Sequence, residues 1–171
     1  NPLFHTQGDL MKKFILITLF ALLPVVSHQQ PLTEVQEVSS ELAQQILCMA
    51  KNIYYEAAKE PFEGKLAVAQ VTINRTNSIQ FPKTVCEVVY QKINQTYQFS
   101  WVGEHVGPVT NKYAWEESEI VARKALTADK VHDKIAATNA MYYHADYVNP
   151  GWNKRKIVAK IGRHIFYSYD N

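Results

Sequence analysis

The sequence lacks most of the features that would assign it to a class outright. It has no apolar run long enough to cross a bilayer. The longest, Phe14 to Val26, is interrupted by Thr18 and Pro24 and falls short of the roughly 20 residues a spanning helix needs. Neither sign of charge is in excess: the formal net charge is +2. No cluster of Lys and Arg forms a basic tail, so nothing points to nucleic acid as a partner. Cysteine is nearly absent, with 2 residues and no Cys-x-x-Cys, and the 6 histidines are scattered without His-x-x-x-His spacing. That removes the common zinc signatures, and neither a metal nor a cofactor is expected. There is no internal repeat and no low-complexity segment.

What remains has the size of one domain, 171 residues, of which about 130 are left for a core once a leader and a tail are set aside. The hydrophobic share of 47% is ordinary, while 10 tyrosines and 3 tryptophans suit a carbohydrate groove and a plain core equally. Residues 1–10 read as upstream sequence. Residues 11–27 read as a secretory signal, with Lys12 and Lys13, then a short apolar middle, then Val25 and Ser27 at the cleavage positions. Such a leader implies export to the periplasm, cell wall or exterior, with membrane attachment only if it stays uncleaved. In an exported chain Cys48 and Cys86 suit a disulfide worth roughly 3–4 kcal/mol, with two buried thiols as the alternative.

Residues 28–40 read as a linker, and 41–171 as the folded domain. A helix starts near Ser39–Ser40, with Leu42, Ile46, Met49, Ile53 and Ala57 on one apolar face. Residues 65–75 form a second helix, apolar nearly all round and therefore buried. Thr84 to Gln91 suggests a short helix, 94–112 a polar and aromatic loop, and Trp115, Ala122 and Leu126 a third long helix. Ala140–Ala145 and His164–Tyr169 read as strands. The class is α+β, mainly helical, with a small β element.

One residue type is out of place. At about 100° per residue, with Leu42 at zero, Glu56 falls near −40°, inside the apolar stripe, while Lys51 points away. Burying a carboxyl is costly unless it is protonated or well hydrogen-bonded. Desolvation raises its pKa, which suits a general acid, as in the lysozyme pattern. A structural Glu paired with Arg75 fits the periodicity equally. Glu60 projects onto the same stripe but precedes Pro61, so it is expected in the turn. On the second helix Gln70 and Asn74 share one face and need partners. They suit holding the acid, a water or a sugar, or bonding to nearby backbone.

The blocks Ala50-Lys51-Asn52-Ile53-Tyr54-Tyr55-Glu56-Ala57, Ala67-Val68-Ala69-Gln70-Val71, Asn74-Arg75, Gln98-Phe99-Ser100-Trp101, Tyr142-Tyr143-His144-Ala145 and Ile161-Gly162-x-His164-x-Phe166-Tyr167 together resemble the cell-wall hydrolase family of spore-cortex-lytic enzymes. The likeness runs over about residues 42–167. It implies a lysozyme-like, lytic-transglycosylase-like domain cutting bacterial peptidoglycan between N-acetylmuramic acid and N-acetylglucosamine. By resemblance Glu56 is the catalytic acid and Thr76 lies beside it. The chain departs from the family at Ala58-Lys59-Glu60, where Arg-Gly-Glu is usual. Related domains also occur in phage genomes.

Phe99, Trp101, Tyr143 and His144 are expected to bind substrate alongside Gln70 and Asn74, with Trp152 a weaker candidate. A second catalytic carboxylate would come from Glu60, Glu63 or Glu104. A monomer is expected. The competing activities are an amidase or peptidase acting on the stem peptide, and a non-catalytic peptidoglycan binder.

Overall fold

The structure, a computed structural model, describes residues 34–127, 137–152 and 155–169. The expected leader at 11–27, the upstream residues and the first part of the expected linker lie outside the described residues. Four helices and a hairpin come first: α1 (Glu34–Ala57), α2 (Phe62–Asn77), α3 (Val85–Val89), the paired β1 (Lys92–Ile93) and β2 (Thr96–Tyr97), and α4 (Ser100–Gly103). Then follow α5 (Lys112–Thr127), β3 (Tyr142–Ala145), β4 (Ile157–Ile161) and β5 (His164–Tyr167). The last three strands form an antiparallel sheet in the order β3-β5-β4.

The first helix begins at Glu34, inside the stretch expected to be a linker. No proline or glycine lies between Pro31 and Pro61, so nothing in the chain stops the helix from running further back. Its apolar stripe is buried from Ile46 onward, with Met49, Ile53 and Ala57 almost inaccessible, but Leu42 is exposed because the helix there runs past its neighbours. The second helix is buried nearly all round for a clear reason. One side packs through Leu66, Ala69 and Ile73 into the helical core with α1, α3 and α5. The other side packs through Ala67, Val68 and Val71 against Phe166 of the sheet. Its one basic intruder in that first stretch, Lys65, is 2% exposed. Its ammonium donates to the Glu60 carbonyl at 2.6 Å and pairs with Glu117 at 3.0 Å, which satisfies a charge that could not otherwise stay buried.

Thr84 caps α3 through a reciprocal box with Glu87. Four elements differ from expectation, among them β1, which follows directly on the expected short helix. The 94–112 loop contains β2 and the short helix α4, and β4 is a strand where none was expected. Cys48 on α1 and Cys86 on α3 are joined, with Cα atoms 5.2 Å apart, so the oxidised alternative holds. Replacing both cysteines by serine should lower stability by roughly 3–4 kcal/mol, a melting midpoint drop on the order of 10 °C. Calorimetry should find the same drop when the unmodified protein is reduced.

Candidate active site

Glu56 is the penultimate residue of α1 and faces the sheet from the margin of the buried stripe. The Tyr143 phenol on β3 donates a hydrogen bond to Glu56 Oε2 at 3.0 Å. Burial pushes the Glu56 carboxyl above its usual range. The Tyr143 bond and the Arg75 charge pull it back, and Glu104 pushes it further up. The Tyr143 phenol itself is raised well above its usual value, first by burial and then by the neighbouring Glu56 charge. It therefore stays protonated and remains a donor. A half-buried carboxyl whose pKa is raised in this way keeps its proton to higher pH than a free one and can release it to a bound oxygen.

Three side chains of α2 place Tyr143. Gln70 Nε2 donates to Asn74 Oδ1 at 2.7 Å, and Asn74 Nδ2 donates to the Ala140 carbonyl at 2.8 Å. Arg75 Nε donates to the Met141 carbonyl at 3.0 Å. Gln70 and Asn74, expected among the substrate contacts, thus direct these bonds to each other and to the backbone entering β3. Arg75 is buried, its guanidinium 5.2 Å from the ring centres of Phe81 and Phe99 and 5.7 Å from that of Tyr142. Its charge is thereby held among aromatic faces.

Other expected contacts are corrected by their burial and bonding. Phe99 is 3% exposed and packs in the main core, too enclosed to meet a sugar. Trp101 is also buried and donates its indole N–H to Asn52 Oδ1 at 3.0 Å. Asn52, fully buried, in turn donates to the Thr72 hydroxyl at 3.4 Å. The face of the Trp101 ring is covered by Tyr55, stacked at 4.7 Å. His144 neighbours Tyr143 on a strand, so the two side chains point to opposite faces. Both His144 ring nitrogens are engaged, with the Ala145 carbonyl and the Tyr167 hydroxyl, each at 2.8 Å. His144 therefore braces the far face of the sheet. There it meets Trp152 at 5.7 Å, which places Trp152 on that side too. Thr76 donates its hydroxyl to the Ile73 carbonyl at 2.8 Å, so its proton is used within its own helix.

The second-carboxylate candidates separate clearly. Glu63 is exposed. Glu60 lies in the turn, as the proline predicts, and its Oε2 accepts the Arg163 backbone N–H at 2.9 Å. Glu104 is exposed at the end of α4, and its charge reaches Glu56. Sequence reasoning missed the strap that follows. Tyr55 donates to the Gly107 carbonyl at 3.0 Å, and the Tyr54 hydroxyl accepts the Thr110 and Asn111 N–H groups at 3.2 Å. Those two backbone donors, Asn111 first, lower the Tyr54 pKa. The doublet of tyrosines before Glu56 was the available signal, but nothing in the sequence says which loop it holds.

Known proteins resemble this chain in sequence and fold. The chain is 36% identical over 123 residues to a spore cortex-lytic enzyme of Oceanobacillus iheyensis, covering 71% of this chain and 40% of that protein. It is 30% identical to the spore cortex-lytic enzyme of Bacillus subtilis, covering 71% and 36%. The chain thus spans about two fifths of the curated relatives it matches. The catalytic domain of Bacillus cereus SleB superposes with a TM-score of 0.54 at 29% identity, over 74% of this chain and 91% of that one. The catalytic domain of the germination-specific lytic transglycosylase SleB from Bacillus anthracis does so with 0.55 at 28% identity, over 72% and 93%. The fold is therefore lysozyme-like, α+β and mainly helical. The family described as Cell Wall Hydrolase matches residues 59–167, which takes in α2, Tyr143 and the sheet and begins just beyond Glu56. With well over half its length matched, the chain belongs to the cell wall hydrolase family.

Proposed function

We propose that this chain cleaves peptidoglycan glycan strands between N-acetylmuramic acid and N-acetylglucosamine, with Glu56 as the acid and then the base. One observation carries the reading: a carboxyl raised by burial and held by the half-buried Tyr143 phenol at 3.0 Å. The relatives named as spore cortex-lytic enzymes and as a lytic transglycosylase support the substrate class. Protonated Glu56 gives its proton to the glycosidic oxygen, the C1–O bond breaks, and positive charge develops on the muramic C1. The Glu56 carboxylate then takes the proton of the muramic 6-hydroxyl as that oxygen bonds to C1. The enzyme returns to its starting state and leaves an anhydro end. A single acid suffices for this sequence, which is why the absence of a second carboxylate bonded near Glu56 among the described residues favours it.

A muramidase is the second reading. There water takes the place of the 6-hydroxyl, and Glu104 is the carboxylate whose charge reaches the acid. An exported setting is also part of the proposal. It is supported by the Cys48–Cys86 bridge, since disulfides persist in oxidising compartments, and by the leader pattern at 11–27.

Glu56→Gln should reduce clearing of purified peptidoglycan by about 10²-fold or more while the protein stays folded. Full clearing by that variant would overturn the assignment. Mass spectrometry of the digest separates the chemistries. Anhydro-muramic ends mean transglycosylation, reducing ends mean hydrolysis, and shortened stems or new amines mean an amidase or peptidase. Insoluble binding with no released fragments means a binder.

The pKa directions give two further outcomes. Activity requires Glu56 protonated, so the rate falls as pH rises through its raised pKa. Tyr143→Phe removes a donor that favours the carboxylate, so the alkaline limb of the pH–rate profile should move to higher pH. Stability follows the same sign. With its folded pKa raised above the unfolded value, Glu56 favours folding at low pH, and that contribution is lost as pH rises through the folded pKa. Glu56→Gln should therefore melt higher than the parent protein at pH 8, with the gap shrinking toward pH 4. A constant gap across that range would contradict the burial reading.

A further inference from the structure

The helix that carries Glu56 ends one residue later, and the Glu60 N–H donates to its last carbonyl, that of Ala57, at 3.0 Å. Glu60, in that turn, is anchored at both ends. Its carbonyl accepts the Lys65 ammonium at 2.6 Å. Its carboxylate, 9% exposed, accepts the Arg163 backbone N–H at 2.9 Å and stands 4.0 Å from His164 Nδ1. Between these contacts sits Gly162, at φ +56° in the β4–β5 turn, where an added Cβ would run into the Glu60 carboxylate and come within 2.9 Å of Pro61 Cδ. The turn therefore requires glycine twice over, for its backbone conformation and for the approach of the carboxylate. His164 is buried, and its Nδ1 has no hydrogen-bond partner among the described residues. Its ring meets the Tyr143 ring edge-on with centres 5.0 Å apart, and Tyr143 reaches Glu56 at 3.0 Å.

We propose that Glu60 and His164 are positioning residues for the catalytic acid. The Glu60 carboxylate fastens the Gly162–His164 turn to the end of the catalytic helix, and the His164 ring holds Tyr143 so that its phenol meets Glu56. The inference rests on the reading of Glu56 as the acid. It assigns the second carboxyl of the turn to geometry and removes it from the chemistry. A donor displaced by a fraction of an ångström loses most of its hydrogen bond, and small misplacements near the reacting centre cost rate more than binding.

The test is a double-mutant cycle on purified peptidoglycan strands. It uses Glu60→Ala, Glu60→Gln and His164→Ala, each alone and combined with Tyr143→Phe, with kcat and KM measured separately. Glu60→Ala and His164→Ala should each lower kcat about tenfold with KM unchanged within roughly twofold. Glu60→Gln, which keeps an acceptor for Arg163, should restore most of the loss. Once Tyr143 is Phe, the extra loss from either alanine variant should shrink to below about twofold, because residues acting through one contact are not additive. Losses that multiply unchanged in the Tyr143→Phe background would overturn the proposal, as would an effect confined to KM. If Glu60→Ala does not fold, the His164→Ala cycle decides alone. Glu56→Gln separates the two readings. An active Glu56→Gln defeats the acid assignment, whereas an inactive one with an additive cycle defeats only the positioning role.

Discussion

A single hydrogen bond across the helix–sheet boundary organises the rest of the molecule: the Tyr143 phenol on the Glu56 carboxyl. Neither group would sit where it does alone. A carboxyl in an apolar setting is unstable as an anion, and a buried phenol needs an acceptor. Each supplies what the other lacks. The bond partly offsets the rise in pKa that burial causes. The remainder of the architecture keeps the two elements at the correct separation.

That task falls to α2, which lies between the helical core and the sheet and has almost no exposed face. From it Asn74 and Arg75 reach the carbonyls of Ala140 and Met141, so the strand carrying Tyr143 starts from a fixed point. Asn52 extends the same logic on the other side, tying α1 to α2 through Thr72 and to α4 through Trp101. Polar groups buried in this way leave few alternative packings, because each would leave a donor or acceptor unpaired. The core is thus pinned by amides and a guanidinium as well as filled by apolar side chains.

Much of this was legible in the residue order, and the gaps have physical causes. Periodicity placed Glu56 inside the apolar stripe, and the structure turns that part of the stripe toward Tyr143 of the sheet. The same projection put Glu60 at the stripe's centre. The helix ends at Ala57, and Pro61 forbids its continuation, so only the proline argument located Glu60 correctly. The β1–β2 hairpin escaped notice because its turn residues, Asn94 and Gln95, both take positive φ without the glycine that usually signals such a turn. The strand Ile157–Ile161 lies at the sheet edge, contains Lys160 and follows Lys156, and shows no clean alternation of burial, as edge strands often do. Strand alternation alone would have shown that Tyr143 and His144 cannot serve the same face. The substrate roles expected of Phe99 and Trp101 came from aromatic chemistry alone, and no pattern in one chain distinguishes a ring in a groove from a ring in a core.

The contact between Glu60 and Arg163 joins residues 103 positions apart. During synthesis the acid-bearing helix emerges long before the turn that fixes its surroundings. A partly made chain, or one clipped ahead of β5, therefore carries Glu56 without the frame that surrounds it. Long-range closure of this kind forms late in folding. The surroundings of Glu56 are thus complete only once the last strand of the sheet has been made.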